Sequence, residues 1–68
     1  MDATIHVNGK PEPLSAATIA ELVAGKATET TRGLAVALNG AVVRRKDWAQ
    51  TVLRPGDRIE IVRVLQGG

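Results

Sequence analysis

Residues 15–25 read SAATIAELVAG and predict one short amphipathic helix. Thr18 and Glu21 have the S/T-x-x-E spacing of a capping box, which marks a helix start. The apolar stripe that follows, at the helical spacing i, i+3 and i+4, consists of Ile19, Leu22 and Val23. Gly25 is placed to end the helix in a left-handed conformation. A helix this short is unstable alone, so it must pack on a sheet.

A pair of strands is predicted on the N-terminal side of this helix. Residues 4–7 alternate between apolar and polar side chains, which is typical of a half-buried strand. Asn8-Gly9 favours a two-residue type I′ hairpin turn, because both residues tolerate positive φ. The return strand, residues 10–14, contains two prolines and therefore belongs at the edge of the sheet.

Further strands are predicted after the helix. The apolar run 34–38 leads into a second hairpin signal, Asn39-Gly40, and a return strand over residues 41–43. Residues 44–51 suggest a turn with a short helical piece, and Pro55-Gly56-Asp57 a tight turn before the last strand. The predicted core consists of Ile5, Val7, Leu14, Ile19, Leu22, Val23, Leu34, Val36, Leu38, Val43, Leu53, Ile59 and Ile61.

The order of these elements predicts an α+β fold with the β-grasp arrangement. One helix lies between two strand groups, so it crosses one face of a single mixed sheet of four to five strands. A right-handed crossover makes the first and last strands parallel neighbours. Residues 1–64 are predicted to form this domain, and residues 65–68 a flexible C-terminal Gly-Gly tail.

The composition of the 68-residue chain excludes several classes of function. There is no cysteine, so there is no disulfide, thiolate metal site or side-chain thiol nucleophile. A net charge of +2 and a single aromatic residue, Trp48, argue against nucleic-acid binding. No signal peptide and no apolar run of the roughly 18 residues needed for a membrane helix is visible. These features predict a cytoplasmic protein that is not an enzyme by itself. It would bind another molecule, carry a chemical group or modify another protein.

The terminal glycines are the residues that point to chemistry. Gly67 and Gly68 follow the last strand, where no further turn is needed. A frayed terminus is one interpretation of such an end. The other is that the end itself is the functional group: a tail without Cβ atoms can enter a narrow channel and present an unhindered α-carboxylate.

The chain resembles the ThiS family of sulfur carriers, which are ubiquitin-like β-grasp proteins related to MoaD. The resemblance covers nearly the whole chain. It rests on residues 36–43 with their Leu38-Asn39-Gly40 hairpin, on Trp48, on residues 51–53, on Gly56-Asp57 with the following strand, and on Gly67-Gly68. The basic run Arg44-Arg45-Lys46 is denser than the family pattern leads one to expect.

This resemblance implies a function in thiamine (thiazole) biosynthesis. A ThiF/MoeB-like partner would use ATP to adenylate the Gly68 carboxylate, and a persulfide drawn from cysteine by a desulfurase would convert it to a thiocarboxylate. The sulfur would then pass to thiazole synthase, ThiG. The chain itself would bind no cofactor and no metal. The tail residues required to enter the partner's active site are Leu65, Gln66 and Gly67.

Partner docking is predicted on the sheet face that the helix leaves open. Val62 and Val64 have the parity opposite to the core isoleucines of the last strand, so they lie on that face. Exposed apolar side chains beside a functional tail suggest docking. Trp48 is expected to pin its turn to the core, with contact to a partner as the alternative, and His6 is expected to be solvated or lightly packed. The run Arg44-Arg45-Lys46 is either a solvated face or a docking site for an acidic partner.

Three alternatives to a thiamine-pathway carrier remain at this point. A small subunit of molybdopterin synthase, MoaD, shares the tail and the thiocarboxylate chemistry, although the Leu38-Asn39-Gly40 hairpin and the position of Trp48 favour ThiS. A ubiquitin-like modifier would instead be joined through Gly68 to lysines of target proteins. An RNA-binding β-grasp module is disfavoured by the low charge and the free Gly-Gly end.

Overall fold

The computed structural model describes residues 3–26 and 33–64. These two ranges contain five strands, one α-helix and one 3-10 helix. In chain order they are β1 (Thr4–Val7), β2 (Lys10–Pro13), α1 (Ile19–Lys26), β3 (Leu34–Leu38), β4 (Ala41–Val43), the 3-10 helix (Arg45–Gln50) and β5 (Arg58–Arg63). The 3-10 helix is the short helical piece expected between residues 44 and 51.

The five strands form one sheet in the order β2-β1-β5-β3-β4. β1 and β5 run parallel, with His6 opposite Arg58 and Val7 opposite Ile59. The β1–β2, β3–β4 and β3–β5 pairs are antiparallel. The predicted mixed sheet, with the first and last strands as parallel neighbours, is therefore confirmed, and the number of strands is five.

Both Asn-Gly hairpins adopt the predicted turn. Asn8 and Gly9 have φ angles of 53° and 84°, and Asn39 and Gly40 have φ angles of 50° and 88°. Positive φ at both central residues defines a type I′ turn, whose twist matches that of the flanking strands. Each two-residue turn consequently fixes which residues of its two strands lie opposite one another.

The two prolines of β2 lie where they cost the sheet no hydrogen bond. The Leu14 N–H donates to the Ala3 carbonyl at 2.9 Å, toward β1. Successive N–H groups of a strand point to opposite sides, so those of residues 11 and 13 would point away from β1. Pro11 and Pro13 therefore remove two donors from the outer edge, which protects it against pairing with another sheet.

The core lies between α1 and one face of the sheet. Each predicted core residue is either buried or packs against the buried cluster, and Trp48 joins that cluster with 5% of its surface exposed. The fully or nearly fully buried members are Ile5, Val7, Ile19, Leu22, Val23, Val36, Trp48, Leu53 and Ile59. The opposite face of the sheet contributes none of these side chains.

α1 begins with the Thr18 half of the predicted capping box, and the Glu21 side chain reaches one residue beyond the Thr18 N–H that the box requires. The Glu21 N–H donates to Thr18 Oγ1 at 3.3 Å, and Glu21 Oε1 accepts a hydrogen bond from the Ala17 N–H at 3.3 Å. The first α1 residue is also tied to the segment after the 3-10 helix, since the Ile19 N–H donates to the Thr51 carbonyl at 3.0 Å. The helix is therefore held at its start by both side-chain and tertiary hydrogen bonds.

The prediction for the other end of α1 is wrong. Gly25 lies inside the helix, which continues to Lys26, and it does not adopt positive φ. Lys26 Nζ forms an ion pair with Glu12 Oε2 at 2.6 Å, so the last turn is fastened to β2. This tertiary contact favours continuation of the helix past the glycine, whose intrinsic cost in a helix is only about 1 kcal/mol.

Candidate functional site

The sheet face that α1 leaves uncovered, the open face, carries the two valines predicted to dock partners. Val62 is 56% exposed and Val64 is 48% exposed. Ile59, on the other side of β5, is 1% exposed. The side chains of β5 thus alternate between core and open face as their parity predicts. The exposure of both valines is confirmed, and their docking role stays a prediction.

The open face also contains an apolar group that sequence reasoning missed. Ala35 lies opposite Val62, and Ala37 lies opposite both Glu60 and Val42. Val42, on the edge strand β4, is 79% exposed. A signal for Val42 existed, because a two-residue Asn-Gly hairpin fixes the register and hence the parity of its return strand. The apolar surface therefore extends from β5 across β3 to the edge of the sheet.

The two hairpin asparagines hold β5, the strand that leads to the tail. Asn8 makes a pair of hydrogen bonds with Ile61: its Oδ1 accepts from the Ile61 N–H at 2.8 Å, and its Nδ2 donates to the Ile61 carbonyl at 3.2 Å. On the opposite side, Asn39 Oδ1 accepts from the Arg58 N–H at 2.9 Å, and its Nδ2 donates to Asp57 Oδ1 at 3.1 Å. The asparagine side chains of both turns thus form hydrogen bonds with the backbone of β5 in addition to those between the strands.

Replacement of Asn39 by Ala is expected to destabilise the domain by about 2 kcal/mol. Alanine at positive φ costs roughly 1 kcal/mol or more, and loss of the two side-chain hydrogen bonds costs about another 1 kcal/mol. Asn39→Gly is the matched control, because it relieves the backbone strain but still loses both bonds. Urea unfolding should therefore rank wild type above Asn39→Gly and Asn39→Gly above Asn39→Ala. Equal stability of wild type and Asn39→Gly would show that the bonds contribute nothing.

The Gly56-Asp57 motif forms the turn that starts β5. The Asp57 N–H donates to the Arg54 carbonyl at 3.1 Å, and Gly56 has φ of 87°, as the third residue of a type II turn requires. Asp57 Oδ2 accepts from the Arg54 N–H at 2.8 Å, while its Oδ1 receives the bond from Asn39. Two separate motifs of the sequence, Asn39-Gly40 and Gly56-Asp57, are therefore one hydrogen-bonded unit.

The last residue of the predicted domain, Val64, is held by a backbone hydrogen bond just before the predicted tail. Its N–H donates to the Gly33 carbonyl at 2.6 Å, and Gly33 has φ of 79°. The residues predicted to enter a partner's active site and to carry the reactive carboxylate lie outside the described part of the chain; they are Leu65, Gln66, Gly67 and Gly68. Their roles, and the boundary between domain and tail, stay predictions.

Trp48 pins the 3-10 helix to the core, as expected. Its indole Nε1 donates to the Val43 carbonyl at 2.9 Å, which closes the segment after β4. The Arg45 guanidinium lies over the ring, 4.8 Å from its centroid. Arg44, Arg45 and Lys46 are all exposed, so the basic run covers the surface beside Trp48. Nothing in the described residues tests whether this run binds an acidic partner.

His6 is half-buried on the open face, where it faces Arg58 across the β1–β5 pair. Together with Gly9, Ile59 and Glu60 these two side chains line a concavity.

Within residues 3–26 and 33–64, no three His, Cys, Asp or Glu side chains come together as a metal site. No helix among the described residues is long and apolar enough to span a bilayer.

Comparison with known proteins agrees with the fold and extends over the whole chain. The model of the ThiS family matches residues 5–68. The chain belongs to the ThiS family. The sulfur carrier protein ThiS of Thermus thermophilus is 34% identical over 64 residues, which covers 94% of this chain and 98% of that protein.

Two solved structures of a thiamine biosynthesis protein from Geobacter metallireducens have the same architecture. The crystal structure of that ThiS protein superposes with a TM-score of 0.80 at 29% identity, over 96% of this chain and 99% of the other. The solution structure gives a TM-score of 0.73 at 30% identity, over 100% of this chain and 88% of the other. The ubiquitin-like β-grasp prediction for this ThiS-family chain is therefore confirmed.

Proposed function

We propose that this chain is a sulfur carrier protein of thiamine (thiazole) biosynthesis and that Gly68 carries the sulfur as a thiocarboxylate. The observation that carries the proposal is the family match over residues 5–68, which includes the Gly-Gly end. The related protein of Thermus thermophilus is named a sulfur carrier, and those of Geobacter metallireducens are named thiamine biosynthesis proteins. The chain is a co-substrate of enzymes and not a catalyst.

The chemistry follows from the low reactivity of a carboxylate. A ThiF/MoeB-like partner joins the Gly68 carboxylate to the α-phosphate of ATP and releases pyrophosphate, which converts the carboxylate oxygen into part of a good leaving group. A persulfide sulfur, supplied through a cysteine desulfurase, then attacks the acyl carbon and AMP departs. Cleavage of the remaining S–S bond by a second thiol leaves the thiocarboxylate on Gly68 and a disulfide on the sulfur source.

The chain's own contribution is to present its terminus. It has no cysteine, so the transferred sulfur has no competing thiol on the carrier. ATP is bound by the adenylating partner, and the carrier holds no cofactor of its own. Four residues follow Val64, and such a segment spans at most about 14 Å when fully extended. A docked partner must therefore place its reacting atoms within that distance of Val64.

The open face is the docking surface for these partners, with Val62 and Val64 as its anchors. Its valines Val62 and Val64 come only a few residues before the tail in the sequence. The face also exposes Val42 on β4, and small alanines of β3 lie between Val42 and Val62. The adenylating partner and thiazole synthase (ThiG) bind it one after the other, because both need the same tail. ATP-dependent activation followed by thiol chemistry places the carrier in the cytoplasm.

Intact-mass analysis of the protein purified from its own host tests the proposal. We expect a species heavier by the replacement of one oxygen with one sulfur, and iodoacetamide should convert this species to a still heavier thioester adduct, since the chain has no cysteine to react instead. The same protein from a host that lacks the adenylating partner should show only the carboxylate. Absence of the heavier species from cells that are making thiamine contradicts the proposal, and covalent adducts with lysines of other proteins would instead indicate a ubiquitin-like modifier.

A further inference from the structure

A shallow trough runs along β3 on the open face, next to the edge strand β4. Its floor is formed by the small side chains of Ala35 and Ala37, and its walls by Val42 on β4 and by Glu60 and Val62 on β5. Neighbouring strands are about 4.8 Å apart, so the two walls stand roughly 9–10 Å apart. That width accepts a single row of side chains from another protein.

Among residues 3–26 and 33–64, Glu60 is the only charged side chain that lines this trough. It is exposed and forms no ion pair or side-chain hydrogen bond with any residue of the described ranges. Arg58 precedes it by two positions on the same side of β5, and both side chains line the neighbouring concavity with His6, but they form no ion pair with each other. A carboxylate in one wall of an otherwise apolar trough loses its hydration when a partner covers the face, and this is costly unless the partner supplies a cation.

We infer that the trough binds the side chain of an arginine presented by the adenylating partner. The aliphatic stem would lie on Ala35 and Ala37 between the valines, and the guanidinium would pair with the Glu60 carboxylate. A leucine or phenylalanine would fill the same space but leave Glu60 desolvated and unpaired. Arginine suits the site better than lysine, because its planar guanidinium pairs with a carboxylate through two parallel hydrogen bonds and is more weakly hydrated.

This inference rests on the proposed docking role of the open face, and one titration series tests the two separately. Binding of the full-length carrier to its cognate ThiF-like enzyme is measured by calorimetry at several salt concentrations. Glu60→Gln is expected to raise Kd at least about tenfold, since loss of one partner of a covered ion pair commonly has this effect, and to flatten the salt dependence. Ala37→Leu, which fills the trough without changing charge, is expected to weaken binding as well.

The matched control is Asp47→Asn, which changes the net charge equally but lies on the 3-10 helix, outside the trough. It should bind like wild type. A charge-reversal pair completes the test: Glu60→Lys should bind still more weakly and recover when one surface arginine of the enzyme is changed to Glu. If Glu60→Gln binds as tightly as wild type while Val62→Asp does not, the arginine inference is wrong and the docking face stands. If neither variant weakens binding, the arginine inference and the docking role of the open face are both wrong.

Discussion

Deletion of Gly68 is expected to abolish ATP–pyrophosphate exchange by the adenylating partner. The shortened chain still ends in a glycine carboxylate, but this carboxylate lies one residue, about 3.5 Å, short of the position that the full chain reaches. Reacting atoms must approach to about 3–3.5 Å, and a displacement of even 1 Å can cost a factor of about 100 in rate. We therefore expect a loss of at least that factor.

Two further variants test whether the reaction needs the terminal carboxylate at one particular position or needs only that a terminal carboxylate is present. One residue added after Gly68 should abolish exchange as deletion does, because it moves the carboxylate past the reacting position. Gly67→Ala keeps the length and should only slow the reaction, because a Cβ restricts φ and widens the tail. All three variants should melt like wild type, since residues 65–68 are predicted to lie outside the folded domain and changes there should stay within about ±0.5 kcal/mol. Normal exchange by the shortened chain would contradict the terminal-carboxylate proposal.

The local elements of this fold are readable from its sequence because each has a strong short-range signal. Asn8-Gly9 and Asn39-Gly40 favour type I′ turns whatever surrounds them, and both form such turns. Thr18 and Glu21 begin a helix by hydrogen bonds made within one turn. The parallel pairing of β1 and β5 then follows from the handedness of the crossover, which leaves few alternatives for so short a chain.

Features that depend on contacts between distant segments are the ones that the sequence does not reveal. Gly25 remains helical, with the last turn tied to Glu12 on β2 by the neighbouring Lys26. The asparagine side chains hydrogen-bond with residues up to 53 positions away, which no local pattern encodes. Val42 and Glu60 become walls of one trough only because β3 lies between β4 and β5. The exposed valines of the open face could thus be predicted from strand parity, but the trough between β4 and β5 could not.

Val62→Asp is expected to weaken binding to both the adenylating enzyme and thiazole synthase by at least about 1 kcal/mol, which is a fivefold or larger increase in Kd. In the free carrier Val62 is 56% exposed, so an aspartate there stays hydrated and the fold tolerates it. In the complex the same aspartate would be covered and would lose its hydration without a cation of its own, because the arginine inferred to enter the trough is already paired with Glu60. Binding should therefore suffer more than stability.

The chain offers a closely matched control in Val52, which is 59% exposed but pairs with Thr18 beside the start of α1, outside the five-stranded sheet. Val52→Asp makes the same chemical change at nearly the same exposure, so any effect of net charge or of a lost surface valine appears in both variants. Circular-dichroism melting reports the fold of each variant, and titration calorimetry with each enzyme reports its binding. A docking role for the open face requires weaker binding for Val62→Asp and unchanged binding for Val52→Asp. Equal binding by the two folded variants would show that the partners dock on another surface. The next residues to substitute would be Arg44-Arg45-Lys46, because this run carries the densest charge on the described part of the chain.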